Sequence, residues 1–533
     1  MDRRALLTTA VALTAAAATG CTEKEAGTAP GTTAPTRGPS ATATPSATRT
    51  AAADWAALAR GLDGQLIRPG DAAYASARQL YNTRFDSLKP AAVAYVAGED
   101  DVKECLAYAR AHGTPVSIRN GGHSYGGWSS GNGRLVIDVS LLDRIGADGS
   151  MGAGAKLIDV YNTLARHGRT VPAGSCPTVG VSGLALGGGH GVTSRAYGLT
   201  CDSLTEATVV TADGRALTAN ADENKDLFWA LRGAGNGNFG VVTRLRFRTS
   251  PTPDTVTAYL NSTPDTVTAY LNWPWQKAEQ VLAAWQRWGP DQPDEIWSSL
   301  HLAAGPGGSR PTLSVVAFTL GAESDLRNAV DRLAGAAGSA PASVALRPRG
   351  YRDAMLGYAN CLSLSEEQCR LPGSTPGRDR RGALPRETYA SASDFYDRDI
   401  TAGGLRALIA AAEAFTRLPA GAGGGGSIAL TALGGAVNRV DPLATSFVHR
   451  RSRMLAQYIA AWRPGTGGAA QQSWLRDTHA SLRRYASGAA YQNYADPTLS
   501  DWRRAYYGPA LDRLTRLKRR YDPDRVFDYP QAL

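Results

Sequence analysis

The apolar positions of this chain change period several times, and each change marks an element. Residues 91–98 form a nearly continuous apolar run, the pattern of a buried strand. Val102, Cys105, Leu106 and Ala109 then recur at helical spacing up to Gly113, after which Val116 and Ile118 open another strand. This is a small β-α-β unit. A further strand is predicted over 135–139 and a helix over 157–165, ending before Gly168. Residues 207–211 and 215–218 flank Asp213-Gly214, a tight hairpin signal, and this first, mixed region closes near Phe247. Beyond it, helical patterns at 404–417 and 447–462 alternate with strand-like runs at 313–320 and 427–433. The fold class predicted is α+β, in two folded domains.

Between these regions an eleven-residue unit is written twice, TPDTVTAYLNS then TPDTVTAYLNW, over 252–273. Solenoids need more copies than two, so this reads as a tandem duplication lengthening the domain junction, with one copy held less tightly than the other.

The N-terminus is of a different kind. Arg3 and Arg4 precede an uncharged run over 5–19, too short to span a bilayer, which marks an export signal of twin-arginine type. Ala18, Thr19, Gly20 and Cys21 resemble a lipoprotein cleavage box, so Cys21 is either a lipid anchor point or a chance cysteine at an ordinary cleavage site. Residues 27–50 are almost wholly Thr, Ala, Pro, Gly and Ser, the composition of an extended tether. The divisions expected are a signal over 1–21, a linker over 22–53, a first folded domain over 54–250, a second over 251–480 and a closing segment over 481–533. The formal charge of +10 is carried mostly by Arg and scattered, without the one-sided footprint of a nucleic-acid binder. Cys361 and Cys369 bracket a short polar stretch, and in an exported chain that spacing predicts a disulfide. Cys105 sits on the apolar face of its helix as a buried thiol.

The chemistry lies in two glycine-rich loops. RNGGHSYGG, 119–127, follows a strand directly, and GSCPTVGVSGLALGGGHG runs over 174–191. Closely spaced glycines bring backbone N–H groups up to a polyanion, so two such loops in one domain point to one large phosphate-bearing cofactor. GNGNFG, 235–240, follows a helix and precedes a strand, the reverse of a dinucleotide-binding turn, and is rejected as one. No metal-ligating set is found.

These two loops, with YGLTCDSL, DLFWALRGAGNGNFGVVT, YQNYADP and YDPDRVFDYPQAL in the same order, resemble the berberine bridge enzyme-like flavin oxidases of the vanillyl-alcohol oxidase or PCMH-type superfamily. The resemblance implies a two-part FAD-binding domain, a substrate domain with an antiparallel sheet, and a C-terminal segment returning to the FAD domain. It implies FAD bound covalently twice, through His123 and through the Cys of the GLxC element, here Cys201. Imidazole and thiolate suit an electrophilic flavin edge. By the same carry-over Arg119, Asn120, Gly121, Gly122, Ser124 and Gly126 contact the phosphates or ribityl chain. Gly174, Pro177, Thr178, Gly180, Gly183, Gly191 and Val242 line the rest, with Cys176 packed beside the ring. Val179 stands where oxygen-using members carry a small apolar residue. Tyr494 is the implied base, with Tyr491 and Asn493 facing the flavin; His190, in GGGHG, is either a second candidate or a structural loop histidine. The implied activity is hydride removal from an alcohol, sugar or secondary metabolite with O₂ as acceptor; the N-terminal signal places the protein, expected as a monomer, outside the cell or at its surface. The rivals are a dehydrogenase serving a quinone or protein acceptor, and a flavoprotein that sequesters a ligand without turnover.

Overall fold

A computed structural model describes residues 54–252 and 266–533. The export signal, the tether, Cys21 and the first copy of the repeat lie outside them, apart from its first residue, Thr252. The second copy supplies the strand Thr266–Trp273.

The first region carries two four-stranded sheets. In one, Gln65–Ile67, Ala92–Tyr95, Leu135–Asp138 and Val116–Arg119 lie in that order, the last three parallel. The helix Glu99–His112 makes the crossover and ends at Gly113, whose φ of 61° only glycine adopts cheaply. In the other, Ser150–Gly152, Val241–Phe247, Leu204–Val210 and Ala216–Asn220 pair antiparallel. The hairpin at Asp213-Gly214 is the turn that the sequence predicts, with Gly214 at φ 85°.

The second region is built on one seven-stranded antiparallel sheet, ordered Ser343–Arg349, Thr266–Trp273, Thr312–Thr319, Ile296–Ala304, Gly425–Ala432, Met454–Ala461, Tyr389–Tyr396. Period two divides its faces. Leu300, Leu302, Ile428, Leu430, Met454 and Tyr458 turn inward against the helices Ala278–Trp288, Glu323–Ala337, Ala402–Thr416 and Ala469–Arg483. The alternate positions, among them Ser299, His301, Ser427 and Gln457, line a cavity.

The helical expectation at 447–462 is wrong. Met454–Ala461 is a central strand, and its apolar residues at every second position, Met454, Ala456, Tyr458 and Ala460, are the ones buried against the helices. Ala and Leu in a short, mostly apolar run satisfy both periods, and sheet pairing on both sides decides. Cys361 and Cys369 form the disulfide.

The C-terminal residues return to the first region. Lys518 Nζ, buried, donates to the carbonyls of Asn238 at 2.8 Å and Phe527 at 2.7 Å and pairs with Asp522 at 2.6 Å. Leu514, Leu517, Phe527 and Leu533 join the core of that region.

Candidate active site

Loops, sheet face and C-terminal segment enclose a cavity of about 1550 Å³. An ordinary small-molecule pocket holds roughly 300–1,000 Å³, so there is room here for a dinucleotide and a substrate together.

The loop after Val116–Arg119 lies hard against the second glycine loop. A Cβ on Gly121 would stand 2.4 Å from the Thr178 carbonyl oxygen, and one on Gly180 2.1 Å from the Asn120 side chain. Only glycine permits that approach. Asn120 Nδ2 donates to Ser182 Oγ at 3.1 Å while its oxygen accepts from Lys156 Nζ. Arg119 is buried beside Asp138, and its Nη1 has no partner.

His123 stacks on Tyr81 at 3.9 Å, and its Nε2 shares a 2.9 Å hydrogen bond with Thr178 Oγ1. Burial, with the Lys156 ammonium adding to it, holds its pKa down at about 3. At neutral pH it is therefore an uncharged, nucleophilic imidazole. Cys176 is on the same wall, exposed to the cavity. Burial, then the Glu387 carboxylate, pushes this thiol up to about 11.

Cys201 is not on that wall. It is fully buried in an apolar cluster with Leu199, Phe395, Phe447 and Tyr491, and its thiol meets Asp202 at 3.6 Å and Arg450 at 4.0 Å. Burial, with Asp202 beside it, raises its pKa. Tyr491, which does line the cavity, packs into the same cluster. Cys201, the position the sequence implied for a tether, therefore does not line the cavity; the thiol that does is Cys176, two residues from Gly174 in the second glycine loop.

The other residues singled out in the sequence divide clearly. Arg119, Asn120, Gly121, Gly122, Ser124, Gly174, Val179, Gly180, Gly183, Gly191, Val242, Tyr491, Asn493 and Tyr494 line the cavity. Gly126, Pro177 and Thr178 do not. A Cβ on Gly126 would strike the Trp128 ring at 2.4 Å, the Pro177 carbonyl accepts from Ile158 N at 3.1 Å, and Thr178 acts through His123.

Tyr494 sits on the single turn Gln492–Tyr494. Its ring lies parallel to Tyr125, centroids 5.3 Å apart, and its hydroxyl is 2.7 Å from His190 Nε2. Tyr125 in turn accepts from Gln457 Nε2 at 2.9 Å. Tyr491 Oη accepts from Gly189 N at 2.8 Å and Asn493 Nδ2 at 2.9 Å. Burial pushes the Tyr494 phenol well above its usual value. Sequence reasoning missed Gln457 and the sheet positions around it, since a glutamine in an apolar strand carries no signal of its own. Tyr125 was in view within RNGGHSYGG, and its spacing of two from His123 was the available clue.

Several buried polar atoms on the wall have no protein partner: Arg119 Nη1, His190 Nδ1 and Asn236 Oδ1. Together with the glycine cradle they fit a large polar ligand such as FAD, since buried polar groups are rarely left unpaired.

Comparison with known proteins agrees. Residues 90–220 match the FAD binding domain family and residues 490–533 the berberine and berberine-like family. A xylooligosaccharide oxidase of Thermothelomyces thermophilus is 30% identical over 470 residues, 83% of this chain and 87% of that protein. An uncharacterized FAD-linked oxidoreductase of Bacillus subtilis is 29% identical, covering 89% of this chain and 97% of its own. Among solved structures, berberine bridge enzyme-like 1 of Physcomitrella patens superposes with a TM-score of 0.77 at 30% identity, covering 89% of this chain and 97% of that one. With these loops, this sheet and this C-terminal closure, the chain belongs to the berberine bridge enzyme-like family of FAD-linked oxidoreductases.

Proposed function

We propose that the protein is an exported oxidase that converts a sugar C–OH to C=O, with FAD tethered through His123 and Cys176 and O₂ as final electron acceptor. The observation that carries the reading is the Tyr494 phenol, held between Tyr125 and His190 at the meeting of the glycine loops and the substrate sheet. Bound FAD supplies a two-electron acceptor for the substrate's C–H pair. Tyr494 takes the hydroxyl proton, and Gln457 holds Tyr125 parallel to it.

The sheet face suits a carbohydrate. Ser299, His301, Ser314, Ser427 and Gln457 offer hydroxyl, imidazole and amide groups, with Trp297, Tyr270 and Tyr358 as aromatic walls. Relatives named for xylooligosaccharide and chitooligosaccharide oxidation support the same class. His123 and Cys176 support the double tether, being an imidazole and a thiol that both line the loop side of the cavity. Val179 beside them, small and apolar, supports access for O₂. The paired arginines at 3–4, the apolar run after them and the Cys361–Cys369 disulfide support export.

The test is anaerobic mixing of the yellow holoprotein with xylobiose, cellobiose, chitobiose and lactose, followed by air. Bleaching by at least one sugar, fast recovery of colour and stoichiometric H₂O₂ are expected. No bleaching by any sugar ends the carbohydrate reading, and recovery only with a quinone ends the oxidase reading.

A further inference from the structure

His190 was a secondary candidate in the sequence, and its surroundings separate it from the structural histidines of this protein. His449 commits its Nε2 to the Tyr506 carbonyl at 3.0 Å. His479 lies between Asp394 and Asp496. His190 has neither carbonyl nor carboxylate: its Nε2 meets the Tyr494 hydroxyl at 2.7 Å, and its Nδ1 is buried without a partner. His190 differs in that its ring lines the cavity, its Nε2 meets a cavity phenol and its buried Nδ1 carries no protein bond, a state rare among buried polar groups. Here no protein bond at Nδ1 fixes the tautomer, and Nε2 can act as acceptor. The loop itself is fixed by other means, through Gly189 N to Tyr491 Oη and Gly191 N to Ser194 Oγ at 2.9 Å.

We propose that His190 is the proton acceptor behind Tyr494: as the substrate hydroxyl gives its proton to the Tyr494 oxygen, the phenol's own proton passes to His190 Nε2. This rests on the oxidase reading above, which supplies the two-electron acceptor. The substrate O–H and C–H bonds break and a C=O double bond forms. The C–H hydrogen leaves with its electron pair to that acceptor, the hydroxyl proton moves to Tyr494 as the phenol proton moves to His190, and the imidazolium returns its proton to water once product leaves. Tyr494 begins and ends as a neutral phenol. His190 acts through Tyr494 and is a positioning residue in that sense.

The electrostatics make such a shift useful. Burial first, then the neighbouring Tyr125, Tyr491 and Cys176, raises the phenol well above its usual value, so a standing phenolate is disfavoured, and a concerted transfer avoids building one. The titratable groups around the pair are Tyr125, Tyr491 and Cys176. Burial also holds His190 down at about 4, with no neighbouring charge contributing. A neutral His190 is required to accept, so the rate falls as pH drops through its pKa and is steady above it.

Histidine labelled with nitrogen-15 gives the direct test, because the holoprotein has only seven histidines. At neutral pH His190 is expected to carry its proton on Nδ1, with an Nε2 resonance that moves in Tyr494→Phe and vanishes in His190→Gln. A proton on Nε2 in the resting protein overturns the assignment. The kinetic test follows bleaching by xylobiose from about pH 4 to about pH 9, with the flavin spectrum as control for folding. His190→Gln, which keeps an acceptor for the phenol but cannot store a proton, is expected to bleach on the order of 10²-fold more slowly with KM nearly unchanged and no acid limb. Bleaching at the wild-type rate with the same limb overturns the proposal. Failure of the underlying reading looks different: Tyr494→Phe would then bleach as fast as the wild type, or xylobiose would bleach none of them while the nitrogen-15 spectrum still reports the pair.

Discussion

At the scale of single residues, the two cysteines near the glycine loops have opposite environments. Cys176 opens onto the cavity, whereas Cys201 is enclosed by apolar side chains and Arg450. Mass spectrometry of peptides from Cys176→Ala is expected to show FAD on the His123 peptide alone, and from His123→Ala on the Cys176 peptide alone. Cys201→Ala should keep both links, and loss of either there would restore the reading made from sequence. Tyr494→Phe removes the proposed base while leaving the ring stack with Tyr125, so its flavin spectrum should persist while sugar-driven bleaching slows about 10²- to 10⁴-fold. Sequence alone exposed His123 and Tyr494 because each stands in a long, ordered motif. It pointed to Cys201, which the structure buries away from the cavity, because glycine-rich context and GLxC context cannot be told apart until burial is known.

At the scale of elements, the helix Ala469–Arg483 is pinned to the turn after Tyr494 by a charge cluster. His479 lies 3.4 Å from Asp394 Oδ2, an ion-pair distance without hydrogen-bond alignment, and 3.5 Å from Asp496, while Arg483 reaches Asp394 at 3.0 Å. The two carboxylates outweigh burial and raise the His479 pKa to about 9. A raised folded-state pKa stabilises fully below the unfolded value, roughly 6.5, and the contribution is lost as pH climbs through about 9. The melting temperature is therefore expected to fall between those limits, and His479→Gln should lie lower at pH 6 and lose that slope. An equal slope in the variant would assign it to another group. None of this cluster was legible in the sequence, where Asp394, His479 and Asp496 are far apart and each looks like surface. Legibility was best where period and turn chemistry agree, as at 157–165, which is the helix Leu157–Ala165. It failed at Met454–Ala461, where a mostly apolar run left the period ambiguous and the neighbouring strands on both sides settled it.

At the scale of the whole molecule, the cavity exists because the last residues close it. Phe527, Asp528 and Tyr529 line its wall, and Tyr529 Oη donates to the Asn236 carbonyl at 2.9 Å. What holds that closure is the buried pair of Lys518 and Asp522. The Asp522 carboxylate also accepts from Val526 N at 2.7 Å and Phe527 N at 3.0 Å, so one side chain neutralises the ammonium and shapes the returning turn. Asp522→Asn leaves the ammonium buried without its counter-ion, which costs about 3–5 kcal/mol in comparable sites. The surrounding carbonyls of Asn238 and Phe527 offset part of that. The expected outcome is a lower melting temperature together with a flavin spectrum broadened toward that of free FAD, because the wall formed by Asn236 and Tyr529 loosens with the turn. Lys518→Met with Asp522→Asn removes both charges and should recover part of the loss. If the single variant melts with the wild type and keeps its flavin spectrum, the apolar side chains of the C-terminal helix alone secure the closure, and the pair is an accessory to it.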